Sequence, residues 1–363
     1  MELLCRTPTG MRLERMLTSP RYVDGRFVNT YTPEVLNTGK MPSLSELIFG
    51  SGAGRKPKGQ LPTVDPRETW AQQPASGLRA TWLGHSGILL EIDGYRILTD
   101  PVWGARVSPV PGIGPKRFQP PPVTLASLPK LDAVLVSHDH YDHLDYPTIR
   151  ALRKLQVPFV TSLGVGLHLE SWGISPERIV ELDWWESTTV AGGLQITAAP
   201  AHHFSGRALH DRNATLWSSF AFRGPKHSVY FSGDTGLSAA FIEIGRRLGP
   251  FDLVMLEVGA FHPAWGSIHL GPENALKAWK YIGSGKLLPV HWGTFSLAPH
   301  PWAEPAEVLF AKAPEGLLMP KLGEPVEPVH ADKVDPWWRS TVNAGSRGCF
   351  WEATQSLLLP IKD

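Results

Sequence analysis

Cysteine is nearly absent. The two thiols, Cys5 and Cys349, stand near opposite ends of 363 residues with no CxxC spacing, which excludes a disulfide framework and a thiolate metal site and fits a reducing cytoplasm. An excess of charge of either sign is also lacking. With 35 basic and 34 acidic residues the formal net charge is +1, so no global field recruits nucleic acid or an anionic membrane. No apolar run reaches the roughly 18 residues of a membrane span. Between Met1 and Met16 the charged residues Glu2, Arg6, Arg12, Glu14 and Arg15 replace the apolar stretch of a signal peptide. The chain is expected in the cytoplasm, in contact with a membrane at most peripherally, and with no nucleic-acid partner.

What is abundant comes in blocks. Residues 1–76 are rich in Gly, Pro and charge, as in GSGAGRKPKGQLPTVDP, without sustained periodicity; they read as an arm packing on the main domain or, alternatively, as a disordered tail. From Leu78 the texture changes to LRATWLGHSGILLEIDGYRILTDPV, two apolar strands joined at Asp93-Gly94, the dipeptide that tight hairpins favour. Further strands are expected in LDAVLVS, VPFVTSL, GGLQITAAPA, SSFAFRG, HSVYFSGD, FDLVMLEVG and KLLPVHWGT, and helices in YPTIRALRKL and GPENALKAWKYI. This pattern predicts an α/β (α+β) domain over 77–325 with two sheets face to face and helices outside, followed by a C-terminal extension over 326–363.

One stretch resists a purely structural reading. VSHDHYDHLDY, residues 136–146, sets three histidines and three aspartates directly behind an apolar strand. Without a cation, four donors within six positions, His138, His140, Asp142 and His143, would carry like-charge and desolvation costs. Further candidates follow other strands: His203 after LQITAAPA, Asp234 after SVYFSG and His291 after KLLPV. Imidazole and carboxylate suit zinc and similar ions, and seven donors are too many for one tetrahedral ion but fit two that share a bridge. His202 precedes His203, and the residues themselves do not choose between them.

These residues carry a resemblance. SHDHYDH resembles the HxHxDH signature of the metallo-β-lactamase superfamily, with His203, Asp234 and His291 at its later motifs in order. Over roughly 79–305, the segments TWLGHSGILLE, LTDP, GPKRF, ELDWWE, FSGDTG, FIEIGRRLGPFD, GAFHPAW and HWGTFSLA are similar to the N-acyl-phosphatidylethanolamine phospholipase D family and its bacterial relatives. The resemblance implies an αββα sandwich of two mixed β-sheets flanked by helices. It implies that His138, His140 and His203 hold one ion, that Asp142, His143 and His291 hold another, and that Asp234 bridges. Asp142 is then both ligand and candidate catalytic residue. Asp100, in LTDP, is a candidate hydrogen-bond partner for the far N–H of a ligand histidine, or a turn cap before Pro101. Tyr141 is expected to face the cleft and touch substrate. His269 matches a family histidine outside the metal set and is expected to contact substrate and act catalytically, although the family's preceding glutamine is Ile268 here.

The implied function is a dinuclear hydrolase with two divalent ions, zinc foremost. It would act as a phosphodiesterase of phospholipase D type on N-acyl-phosphatidylethanolamine-like phospholipids or related phosphodiesters, with solvent as nucleophile. Hydrolysis of an ester, lactone or β-lactam at the same centre is one alternative. A metal-stabilised binding protein without catalysis is another, and the full ligand set opposes it. Ser137, beside His138, is a weaker nucleophile candidate because the histidines are committed to metal. Fourteen tryptophans point either to core packing or to an acyl-chain groove, and Lys116 and Arg117 of GPKRF either to a phosphate group or to a solvated loop.

Overall fold

The computed structural model describes residues 8–30 and 54–342, except 111, 209, 263, 264, 266, 313, 314 and 332. Cys5, Cys349, stretch 31–53 of the expected arm and 343–363 of the expected extension lie outside the described residues. In the arm, a helix over Gly10–Leu17 precedes a small ribbon of β1 (Tyr22–Val23) and β2 (Arg26–Phe27). Met16 and Phe27 are buried against Leu163, Trp184, Leu216 and Trp217 of the main domain. Further on, Trp70 is buried and its indole N–H donates to Thr81 Oγ1 at 3.0 Å.

The apolar run before Asp93-Gly94, expected as one strand, is two: β3 (Leu78–Gly84) and β4 (Gly87–Ile92), with β5 (Tyr95–Thr99) beyond the hairpin. Gly84 pairs with Gly87 across a two-residue turn, His85-Ser86. The turn is hidden in the sequence because apolar residues continue on both sides, but Gly84 at φ +106° and His85 at φ +55° supply the left-handed backbone it needs. The sheet continues through β6 (Ala133–Val136), β7 (Phe159–Ser162) and β8 (Ile179–Leu182), each parallel to its neighbour from β5 onward. The second sheet contains β9 (Ser187–Val190), β10 (Leu194–Ala199), β11 (Ser219–Arg223), β12 (Ser228–Phe231), β13 (Leu253–Glu257) and β14 (Lys286–Val290). A last short strand, β15 (Pro325–Val326), pairs with β3, giving spatial orders β15-β3-β4-β5-β6-β7-β8 and β14-β13-β12-β11-β10-β9.

Alternation along β4 shows how the layers stack. Ile88, Leu90 and Ile92 enter a core shared with Ile196, Phe220 and Leu256 of the other sheet. Leu89, with Leu98 and Val134, faces Ile149, Leu152 and Leu169 of outer helices. A strand with apolar neighbours on both faces reads as continuous rather than alternating hydrophobicity. On the outside of the second sheet lie the helices Ala240–Leu248 and Gly271–Ile282, with Phe241, Ile244, Ala275, Ala278 and Ile282 turned inward. The architecture is the expected αββα sandwich.

Local signals set the helix ends nearest the site. The helix Tyr146–Leu152 begins at Asp145, whose carboxylate caps Thr148 N at 3.3 Å, with Pro147 in its first turn. The helix Gly271–Ile282 stops at Gly283, in the left-handed conformation at φ +81°.

Candidate metal centre

Parallel strands place their C-terminal ends on one edge of a sheet, where loops converge. β5 and β6 lead into Asp100 and into Ser137–His143; β12 and β14, in the parallel set β12-β13-β14, lead into Asp234 and His291. His203 follows β10. These ends meet, and the seven predicted donors fall into two groups around one shared carboxylate.

In the first group His138, His140, His203 and Asp234 each offer a ligand atom within 4.8 Å of the others. His140 Nδ1 lies 2.9 Å from His138 Nε2 and 3.2 Å from His203 Nε2. Asp234 Oδ2 is 3.9 Å from His138 Nε2 and 3.7 Å from His203 Nε2. In the second, Asp142 Oδ2 lies 3.2 Å from His291 Nε2 and 3.6 Å from His143 Nε2. Asp234 reaches this group as well, with Oδ1 3.1 Å from His143 Nε2 and Oδ2 3.2 Å from His291 Nε2.

The outward nitrogens show which way the protons face. His203 Nδ1 donates to the Ile268 carbonyl at 2.9 Å, and His143 Nδ1 to Asp100 Oδ2 at 2.7 Å. Ser137 Oγ donates to Asp100 Oδ2 at 2.6 Å and is therefore free to accept from His138 Nδ1 at 3.0 Å. Three ring protons thus point out of the cluster, which turns the three Nε2 atoms into it, as in a metal-ligating histidine held by its far N–H. His143 Nε2 and Asp234 Oδ1 are buried and face each other, yet neither makes a hydrogen bond. Buried polar atoms without partners are costly, and a cation shared between them removes that cost. The donor set therefore fits divalent metal.

Electrostatics differ between the halves. Burial, reinforced by neighbouring histidines, holds His138 well below the usual imidazole range, and burial likewise outweighs Asp234 to hold His203 well below it. In the second group burial also pulls downward, but Asp234 and Asp142 outweigh it. His143 is raised well above its usual value and His291 is pushed up to about 10. This half-site is rich in negative charge and attracts a cation.

The remaining predicted residues divide. His203 is in a metal-capable group, whereas His202 is not; its Nε2 lies 3.4 Å from Ser267 Oγ. Tyr141 is half-buried beside Val102, Val107 and Phe295, and its hydroxyl donates to the Arg207 carbonyl at 2.7 Å. Of the GPKRF pair, Lys116 is exposed, but Arg117 is buried and its guanidinium lies 5.4 Å from the Phe295 ring centre. Ser137 is wholly buried on Asp100 and unavailable as a nucleophile. His269 lies at the cluster's margin, Nδ1 3.1 Å from Glu257 Oε1 and 4.0 Å from Asp234 Oδ2, and, expected outside the metal set, it shares a third metal-capable group with Asp234 and His291. Burial lowers its pKa, and Glu257 more than compensates, so the ring sits above its ordinary value. His262, 5.8 Å from the Trp265 ring centre, belongs to none of the metal-capable groups found among the described residues.

Two residues at the centre escaped the sequence reading. His85 shares a four-donor group with Asp142, His143 and His291; its signal was the Gly-His-Ser-Gly turn inside an apolar run. Glu257, wholly buried, accepts from Thr235 N, Leu270 N and the His269 ring. It ends β13, and only an acidic residue closing an otherwise apolar strand marked it. A small, partly open pocket beside His291 is lined by Phe118, Leu297 and Trp302.

A fold of this kind around such a donor cluster defines a metal-dependent hydrolase. Residues 95–292, more than half of the chain, match the family model described as beta-lactamase superfamily domain, and the chain belongs to the metallo-β-lactamase superfamily. It is 50% identical over 332 residues to an uncharacterized protein of Mycobacterium tuberculosis, covering 88% of each chain. It is 41% identical over 233 residues to N-acyl-phosphatidylethanolamine-hydrolyzing phospholipase D 1 of Caenorhabditis elegans, covering 61% of this chain and 65% of that one. Among solved structures, Igni18, a metallo hydrolase from the archaeon Ignicoccus hospitalis, superposes with a TM-score of 0.54 at 24% identity, over 69% of this chain and 97% of its own. That last likeness establishes the fold alone.

Proposed function

We propose that the protein is a dinuclear, zinc-dependent phosphodiesterase of phospholipase D type, hydrolysing N-acyl-phosphatidylethanolamine-like phospholipids or related phosphodiesters. The observation that carries the reading is Asp234, whose two oxygens reach both donor groups. The substrate class is supported by the similarity to the Caenorhabditis elegans phospholipase. His138, His140 and His203 would hold one ion and Asp142, His143 and His291 the other, with Asp234 within reach of both. Ions so held supply a solvent nucleophile near neutral pH and compensate charge developing on phosphoryl oxygens.

The chain's own residues do the rest. Glu257 holds a proton at His269 Nδ1 and raises the ring above its ordinary value, so that the doubly protonated ring can give its Nε2 proton to the departing alkoxide. Asp100 fixes the His143 ring through Nδ1. The Tyr141 hydroxyl donates to the Arg207 carbonyl and the Arg207 guanidinium covers one ring face at 3.9 Å, so its contact with substrate falls to the rest of the ring. Peripheral contact with a bilayer belongs to the same proposal, supported by Val110 and Ile113, which are 47% and 64% exposed near Lys116. Among the described residues no helix is long and apolar enough to cross a membrane.

The test is a head-to-head comparison of zinc-loaded protein on N-acyl phospholipid, aryl phosphodiesters, phosphomonoesters, lactones and β-lactams. Phosphodiesters are expected to give the highest kcat/KM by a wide margin. A lactone or β-lactam in first place would overturn the substrate class while leaving the metal centre standing.

A further inference from the structure

His85 has no part in the roles assigned above, yet the fold holds it in place from several sides. It opens the turn between β3 and β4 at φ +55°, a conformation that residues with a Cβ rarely adopt. Its N–H donates to Thr294 Oγ1 at 2.6 Å. Its carbonyl accepts from His291 N at 3.0 Å and from the Trp82 indole at 2.9 Å. Backbone conformations of this sort persist where the surroundings over-determine them, and they gather at functional sites. The buried ring lies 4.0 Å from that of His291 and edge-on to Phe295 at 5.2 Å. Its Nε2 is 2.9 Å from Asp142 Oδ2, the oxygen that also faces His291 Nε2.

The placement of the ring proton follows. Nδ1 is buried without a hydrogen-bond partner, so a proton there would be unsatisfied while a lone pair on Nε2 faced a carboxylate. With the proton on Nε2, a charge-assisted hydrogen bond forms instead. Asp142, His143, His291 and Asp234 already provide four donors to that half-site, as many as a tetrahedral zinc accepts.

We infer that His85 is the positioning residue of the second half-site, its Nε2–H holding the Asp142 carboxylate toward the point shared with His143 and His291. The inference rests on the dinuclear reading above. Partners that orient ligands in this way typically change metal affinity by about 10- to 100-fold.

Zinc titration against a competing chromophoric chelator reads both half-sites at once. Wild-type protein is compared with His85→Phe, which keeps a ring but no donor, and His85→Gln, which restores an N–H near the position of Nε2. Wild type takes up two ions. His85→Phe weakens one step about 10- to 100-fold and leaves the other nearly unchanged, and His85→Gln recovers most of the loss. If His85→Phe does not fold, as judged by circular dichroism, His85→Asn, whose donor falls short of Asp142, replaces it. Uptake of one ion by the wild type overturns the dinuclear reading, and the inference falls with it. Two ions in the wild type, with both steps unaffected by His85→Phe, with both weakened equally, or with His85→Gln no better than His85→Phe, overturns the positioning role alone.

Discussion

Asp100 accepts three hydrogen bonds in the interior, from Ser137 N at 2.7 Å, Ser137 Oγ at 2.6 Å and His143 Nδ1 at 2.7 Å. Through these it sets the ring of His143 directly and that of His138 by way of Ser137. Asp100→Ala is therefore expected to weaken metal binding about 10- to 100-fold, measured by chelator competition. Asp234→Ala removes the one carboxylate that reaches both groups; activity should disappear while circular dichroism and solubility stay close to wild type. His269→Ala should lower kcat at least about tenfold with metal content intact, the range for loss of a general acid. His262→Ala should do much less. Loss of a metal ion in His269→Ala, or near-normal kcat in both variants, would remove His269 from the catalytic assignment. Of the metal-set residues legible in the sequence, His138, His140, Asp142 and His143 stand together directly behind an apolar strand, and His203, Asp234 and His291 follow at later motifs in the order the resemblance implies. His85 and Glu257 had neither signal. His85 interrupts an apolar run for only two residues, and Glu257 is a single acid at a strand end, ordinary until the fold brings His269 beside it.

At the scale of elements, the loops rather than the strands carry the chemistry, and their precision depends on glycines that no side chain can replace. A Cβ on Gly259 would lie 2.0 Å from the carbonyl oxygen of His291. Gly259→Ala must then push the loop after β14 away, and it is expected to lose the second ion and most activity while leaving the first half-site filled; metal analysis of the purified variant decides. The strands were legible because both faces are buried and the runs are continuous. Less was visible where burial is mixed: β8 and β9 are only partly buried. The helix Ala240–Leu248 was not legible as an element, because its two inward residues, Phe241 and Ile244, are too few to set a helical period. The turn between β3 and β4 was unreadable because its Gly-His-Ser-Gly chemistry competes with apolar residues on either side.

At the scale of the whole molecule, most of the described tryptophans are core material. Trp82, Trp292, Trp302, Trp337 and Trp338 are all buried and in ring contact with one another, with Trp82 and Trp292 stacked at 5.5 Å. The segment after β15 thereby locks onto the sandwich, and Trp338 also donates to Glu307 Oε1 at 2.8 Å. Trp338→Ala should cost about 3–5 kcal/mol of stability, read from chemical denaturation, without altering the number of bound ions. The central claim concerns two ions acting together at one carboxylate. It is tested most directly by adding zinc in known equivalents to stripped protein while following kcat/KM on a phosphodiester. Activity should rise to a plateau at two equivalents; a plateau already at one, or no activity at two, would contradict it.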